Sequence, residues 1–315
     1  MVVFMQVIFL IFGFLMLIKG ANWFVEGASG IAERFGIPQL VVGLTIVAMG
    51  TSLPETAVSI TAAMKHNAGI AVGNVVGSNI LNILIILGIT SVITTVAVAN
   101  TTIWYEIPYM IVITFLFLIL CLTENHLTFW EGIVLWTAFL IYLVYLVLLA
   151  KKQKGENLEK KKQQEKKIQS VWKLFLSTVI GLTVIVWGSR LTVDVAAILA
   201  KAAGISDRFI GLTIVALGTS LPELFTSVSA AVKGKADIAI GNIVGSNIFN
   251  ILFILGTAAL ITPIPFDCNF IVDGVIAICA GILLWLLVFR QKKLVRSDGM
   301  IMLLGYAGYF IYLML

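Results

Sequence analysis

Two carboxylates stand where so apolar a chain leaves little room for charge. Glu55 and Glu223 each close the hexapeptide GTSLPE, at Gly50 to Glu55 and again at Gly218 to Glu223. The flanking runs, VVGLTIVAMGTSLPETAVSITAAM and FIGLTIVALGTSLPELFTSVSAA, are otherwise greasy. A carboxylate near the middle of a membrane-spanning helix costs at least a few kcal/mol, so each should face the interior and hold a charged partner. No Lys or Arg lies at comparable depth in these runs, and two bare carboxylates close together repel. A bound divalent cation resolves both problems. Pro54 adds ligands: it has no N–H for the carbonyl of Gly50 and its ring crowds that turn, so the helix should kink through Thr51 and Ser52, as Pro222 does to Gly218. Carbonyls freed at this depth are tolerated where they line a cavity, and there they can bind a cation.

A second motif supplies the rest of a cage: GNVVGSNILN from Gly73 to Asn82 and GNIVGSNIFN from Gly241 to Asn250. Asn74, Ser78 and Asn82 are spaced i, i+4, i+8 and share one helix face, as do Asn242, Ser246 and Asn250. Gly73 with Gly77, and Gly241 with Gly245, have GxxxG spacing that lets another backbone approach. The pooled ligands are all oxygen: the two carboxylates, the hydroxyls of Thr51, Ser52, Ser78, Thr219, Ser220 and Ser246, amides, and main-chain carbonyls. Such a set suits Ca2+ or Na+ and argues against zinc or copper. A single Ser or Thr in a membrane helix more often bonds its own i−4 carbonyl, but here the whole constellation occurs twice.

The elements that must position these residues are membrane helices. Hydrophobic residues make up 60% of the 315 and charged residues 12%, against about 25% charged in soluble domains, so the chain is an integral membrane protein. Ten apolar runs approach the length a spanning helix needs, at about 2–18, 38–64, 69–96, 103–122, 128–149, 171–199, 207–232, 237–262, 270–289 and 299–315. The first run has no basic n-region and no small-residue cleavage site after it, and is expected to be a retained helix. The segment from Lys151 to Lys173 holds nine lysines and Arg290 to Arg296 holds four basic residues, which places both loops in the cytoplasm and both termini outside. Cys121, Cys268 and Cys279 have no metal or disulfide spacing, and His66 and His126, at span ends, read as interfacial. Trp136, Met49 and Met64 read as lipid-facing or packed bulk, while Glu26 and Asp194, also 168 apart, are weak candidates for bordering a pathway.

An internal repeat organises the whole. Residues 36–88 align without a gap on 204–256; 19 of the 53 positions differ, leaving 34 identical. Five spans precede the linker and five follow it, and an odd number per half forces opposite orientations. The expected fold is therefore an all-α integral membrane protein of ten transmembrane helices in two inverted-topology five-helix repeats, 1–150 and 171–315, joined by a lysine-rich linker at 151–170. That arrangement is typical of secondary transporters, with substrate at the repeat interface.

The two motifs, in both copies, resemble those of the sodium/calcium exchanger family of the cation/calcium exchanger superfamily, whose α-repeats carry GTSxPE-type and GNxxGSNxxN-type motifs. The resemblance implies ion ligands at Thr51, Ser52, Glu55, Ser78 and Asn82 and at Thr219, Ser220, Glu223, Ser246 and Asn250, with main-chain oxygens of Ala48 and Ala216 completing sodium sites. It also implies that the first helices of the two halves slide over a core made of the second and third. Many prokaryotic and potassium-dependent relatives have Asp where this chain has Asn250, so a third site charge is lacking and potassium co-transport is not expected. The proton/calcium branch typically has GNxxE, and Gly77 and Gly245 stand at that place.

The expected function is a secondary-active antiporter, not an enzyme, that exchanges Na+ for Ca2+ by alternating access in the cell membrane, electrogenic if three Na+ oppose one Ca2+. Both ions bind as substrates; no cofactor, nucleic acid or obligatory protein partner is implied. The alternatives are a proton/calcium antiporter on the same cage and a calcium-selective channel, though channel filters usually come from rings of identical subunits. An intramembrane hydrolase lacks its Ser/His dyad or aspartate pair.

Overall fold

The computed structural model describes residues 2–65, 68–124, 126–160, 170–204, 216–266 and 268–314. Helix α1 (Val2–Phe35) runs for 34 residues, well past the end near residue 18 read from hydropathy. Nothing breaks it earlier, because Lys19, Glu26, Glu33 and Arg34 all fall on its exposed side. It ends where Gly36 turns at φ +67, and the Ile37 N–H reaches back to the Ala32 carbonyl at 2.9 Å, a closure that favours glycine.

The GTSLPE break is where the proline chemistry put it. Helices α2 (Gln39–Thr51) and α3 (Leu53–Met64) meet at Ser52 with a bend of 51°, and Pro54 occupies the first turn of α3, where its missing N–H costs nothing. Then come α4 (Gly69–Ile93), α5 (Thr102–Leu122), α6 (Phe129–Lys160) and α7 (Val171–Ala202). The second copy of the break lies between α8 (Ala216–Thr219) and α9 (Leu221–Val232), joined at Ser220. Helices α10 (Ala236–Ile261), α11 (Cys268–Gln291) and α12 (Arg296–Met314) complete the chain.

Among the described residues, seven helices are long and apolar enough to cross a membrane, or eight if the bent α2–α3 pair is one span. The chain is thus a multi-pass, all-α membrane protein. Part of the expected span 207–232, and the lysine linker beyond Lys160, lie outside the described residues, as does His66. Among the described residues, four two-residue strands tie loops together in antiparallel pairs: β1 (Val96–Ala97) with β4 (Lys293–Leu294), and β2 (His126–Leu127) with β3 (Ile264–Pro265). His126 is therefore a loop clamp at a span end.

Burial separates centre from periphery. In α10, 94% of the spanning window is buried and in α4 72%, whereas α1, α6 and α7 each reach 28%. The two helices carrying the GNxxGSNxxN motifs are thus the enclosed ones. On the outside, α1 and α7 cross at backbone contact. Gly13, Gly20 and Gly27 recur every seven residues on one face of α1; a Cβ on Gly20 would lie 2.8 Å from the Ile185 nitrogen and 2.9 Å from the Gly181 oxygen.

Candidate functional site

Each GTSLPE break faces the other copy. Ser52 Oγ donates to Glu223 Oε1 at 3.0 Å, and Ser220 Oγ donates to Glu55 Oε1 at 3.2 Å. Thr51 reaches Glu223 and Thr219 reaches Glu55 in the same crossed sense. Both carboxylates are about 1% exposed and near enough to act on one another electrostatically. The kink does this: by ending one helix at Ser52 and restarting at Leu53, it projects hydroxyls and a carboxylate from adjacent turns into one place.

The second motifs hold those breaks from behind. Asn74 Nδ2 donates to the Glu55 carbonyl at 3.2 Å and to Ser59 Oγ at 2.9 Å; Asn242 Nδ2 does the same to the Glu223 carbonyl at 3.4 Å and Ser227 Oγ at 2.9 Å. Ser246 Oγ donates to the Ala48 carbonyl at 3.3 Å, and Ser78 Oγ lies 3.5 Å from Ser220 Oγ. Ala216 opens α8 beside the undescribed stretch. The glycine spacing works as expected in α10, where a Cβ on Gly245 would sit 2.8 Å from the Leu44 Cα and one on Gly241 3.0 Å from the Leu40 carbonyl. In α4, Phe270 at 3.6 Å is what a Cβ on Gly73 would meet among the described residues, and residues 205–215, which would correspond to the α2 strip, lie outside them.

Asn82 and Asn250 begin π-helical turns (Asn82–Leu87 and Asn250–Leu255), a distortion frequent at functional sites. Their amide nitrogens are used across the middle of the molecule: Asn82 Nδ2 donates to Asn247 Oδ1 at 2.9 Å and Asn250 Nδ2 to Asn79 Oδ1 at 3.0 Å. Asn79 Nδ2 donates to the Asn247 carbonyl at 3.1 Å, and Asn247 Nδ2 to the Asn79 carbonyl at 3.2 Å. Sequence reasoning missed this pair. Asn79 and Asn247 sit one residue off the polar stripe, so helical periodicity passes over them. Ser59 and Ser227, four residues after each glutamate on the same face, were legible and overlooked.

What remains is a surplus of acceptors. Glu55 Oε2, Glu223 Oε2, Asn82 Oδ1 and Asn250 Oδ1 are buried with no hydrogen-bond partner. Thr51 Oγ1 has one proton, yet it lies 3.0 Å from Asn242 Oδ1 and 3.3 Å from the Ala48 carbonyl and also reaches Glu223. Buried acceptors without donors are costly, and a dehydrated cation is what satisfies them. Glu26 lies outside the cluster, bridged to Lys233 at 2.7 Å, and Asp194 is exposed. Trp136 is packed and donates to Thr257 Oγ1 at 3.1 Å.

Broken helices around an enclosed oxygen cluster, in a multi-pass all-α membrane protein, define the class of membrane ion transporters. Comparison with known proteins gives the family. The profile described as sodium/calcium exchanger protein matches residues 5–148 and 173–315, so the chain belongs to that family, which comprises exchangers and not enzymes. It is 39% identical over 308 residues to the proposed antiporter CaxA of Alkalimonas amylolytica, covering 96% of each chain. It is 35% identical over 312 residues to the inner membrane protein YrbG of Escherichia coli, covering 96% of this chain and 94% of that one. A solved structure of the sodium-calcium exchanger NCX_Mj superimposes with a TM-score of 0.85 at 32% identity, covering 99% of both.

Proposed function

We propose that the chain exchanges Na+ for Ca2+ across the cell membrane by alternating access, electrogenically and without K+. The observation that carries this is the crossed clamp: two buried carboxylates, each held by the other copy's serine through one oxygen, whose second oxygens, with those of the Asn82 and Asn250 amides, lack a donor. In the proposed site Glu55, Glu223, Thr51, Ser52, Ser78, Asn82, Thr219, Ser220, Ser246 and Asn250 ligate the ions, with carbonyls of Ala48 and Ala216. With both glutamates ionised the site carries about two negative charges, which one Ca2+ or two Na+ neutralise; a third Na+ leaves a positive complex. Shared oxygens cannot hold both loads at once, and that exclusion couples the fluxes.

The proposed frame is ten spans in two inverted halves, 1–150 and 171–315, with the 151–170 linker cytoplasmic and both termini outside. The reciprocal Asn79–Asn247 bonds, between residues 168 apart, support a pseudo-twofold relation. So does the strand clamping, since Ile264 follows Val96 by the same 168 residues and each starts a clamped strand. The likeness to proteins named for sodium-calcium exchange supports sodium as the coupling ion.

The test is radiolabelled calcium uptake into proteoliposomes under an outward sodium gradient, an outward proton gradient, or none, with voltage clamped by ionophore. Uptake driven by sodium is expected. Uptake driven only by protons would replace sodium with proton coupling, and gradient-independent, voltage-driven influx would point to a channel.

A further inference from the structure

The proposed ion site leaves one deeply buried carboxylate unused. Glu106 is 1% exposed and ends the π-helical turn Thr102–Glu106 at the start of α5. One of its oxygens accepts from the Tyr145 hydroxyl, while its Oε2 and the hydroxyl of Tyr142, itself 4% exposed, have no partner. Both residues line a cavity of about 380 Å³ whose other walls include Trp104, Tyr105, Tyr109 and Tyr145. Tyr109 and Tyr142 stack at 5.5 Å with planes 11° apart, and the Tyr109 hydroxyl is already spent on the Ala138 carbonyl at 3.0 Å. The position 168 residues later is Gly274; beside it Asp273 accepts the Tyr309 hydroxyl at 3.0 Å but is only partly buried, so the fully buried acid belongs to the first copy and lies outside the duplicated oxygen cluster.

The chemistry of that lining selects its ligand. A carboxylate in apolar surroundings needs a cation beside it. Hard ions such as Ca2+ want six to eight oxygens, and this cavity offers one carboxylate and a few phenols. Aromatic faces attract an ammonium instead, and the volume falls in the small-molecule range of about 300–1,000 Å³. Trp104 and Tyr105 are more than half exposed on the outer surface, so the cavity opens sideways. Tyr145 precedes Lys151 by six residues on α6, roughly 9 Å along the axis, which puts the cavity near headgroup level. We propose that this cavity binds an alkylammonium group, with Glu106 as its counter-ion and the Trp and Tyr faces as its cage. The ammonium belongs either to an aminoethyl lipid headgroup or to a free amphiphilic amine.

The test titrates the purified full chain in maltoside detergent with octyltrimethylammonium and follows tryptophan fluorescence, using octyl sulfate as an anionic control of equal chain length. A saturable change that disappears in Trp104→Phe and weakens at least about tenfold in Glu106→Gln is expected. Equal affinity for octyl sulfate, no saturable change, or wild-type affinity in Glu106→Gln overturns the proposal. Should Glu106→Gln not give monodisperse protein, Tyr105→Ala, at a side chain 62% exposed, tests the cage: affinity reduced severalfold supports it and unchanged affinity overturns it. Repeating the titration in phosphatidylglycerol nanodiscs with and without phosphatidylethanolamine separates the sources. A curve shifted by phosphatidylethanolamine identifies the lipid headgroup; superimposed saturable curves identify the free amine.

Discussion

Glu223→Gln removes one of the two charges of the proposed site while keeping its shape. The amide oxygen can still accept the Ser52 hydroxyl that lies 3.0 Å from Glu223 Oε1, so the crossed clamp survives. In wild-type protein without ions, Glu223 is about 1% exposed and its Oε2 has no partner; a neutral amide there is no costlier, and the ion-free variant should melt at or above wild type. Calcium binding should respond very differently. Removing one partner from a buried charge pair costs about 3–5 kcal/mol. That is a loss of about a hundredfold or more in affinity, at about 1.4 kcal/mol per decade. With calcium at a hundred times the wild-type Kd, mass action stabilises wild type by about 2.7 kcal/mol, whereas a variant binding a hundredfold more weakly gains about 0.4 kcal/mol. The assay is thermal unfolding across a calcium titration in sodium-free detergent. A Glu223→Gln protein that melts like wild type without calcium and shows the full calcium-dependent rise would refute the assignment of Glu223 to the site.

Asn250→Asp should lower ion-free stability by about 1–3 kcal/mol, because Asn250 Nδ2 donates to Asn79 Oδ1 at 3.0 Å and an aspartate would set two acceptors face to face. Melting in choline buffer checks this, and added cations should restore part of the loss. Gly20→Val should cost about 1–3 kcal/mol or more by overpacking the α1–α7 crossing, where a Cβ already falls 2.8 Å from the Ile185 nitrogen; unchanged melting would contradict that contact. Glu26→Gln removes a half-exposed ion pair to Lys233 worth about 0–1 kcal/mol, so exchange rates should change by no more than about fivefold, and less at high salt.

The parts of the site that were legible in the sequence are those set by local covalent chemistry. A proline without an N–H breaks its helix wherever it falls, so the joint at Ser52 followed from GTSLPE alone. Hydropathy was a poorer guide to α1, since it marks where a helix stops being apolar and not where it stops being a helix; Lys19, Glu26 and Arg34 simply ride its exposed side to Gly36. The Asn79–Asn247 exchange was hidden because it is a contact between copies, and periodicity within one helix carries no information about it. Glu106 was legible as a carboxylate inside the 103–122 run and was passed over; what the sequence hid is its hydroxyl partner, Tyr145, 39 residues away on another helix.

The crossed bonds also limit how the proposed cycle can run. Sliding the α2–α3 unit against α8–α9 would strip Glu55 of Ser220 and Glu223 of Ser52, leaving two buried carboxylates without those donors at a cost of several kcal/mol each. The Asn79–Asn247 exchange ties α4 to α10 just as directly, so these helices should move as one body. By contrast α1 and α7, in backbone contact with one another, meet that body among the described residues through few polar bonds: Gln39 to Ser29, Ser229 to Asn22, Lys233 to Asn22 and Glu26, and Ser189 to the Gly218 carbonyl. Breaking those costs less than opening the clamp, because the Lys233 pair is half-exposed and the hydroxyls can turn to other acceptors. In the proposed cycle the outer pair is therefore the part expected to slide. In that proposed cycle its sliding would expose the oxygen cluster to one side or the other without dismantling it, so that the carboxylates would meet each solution already arranged to receive an ion.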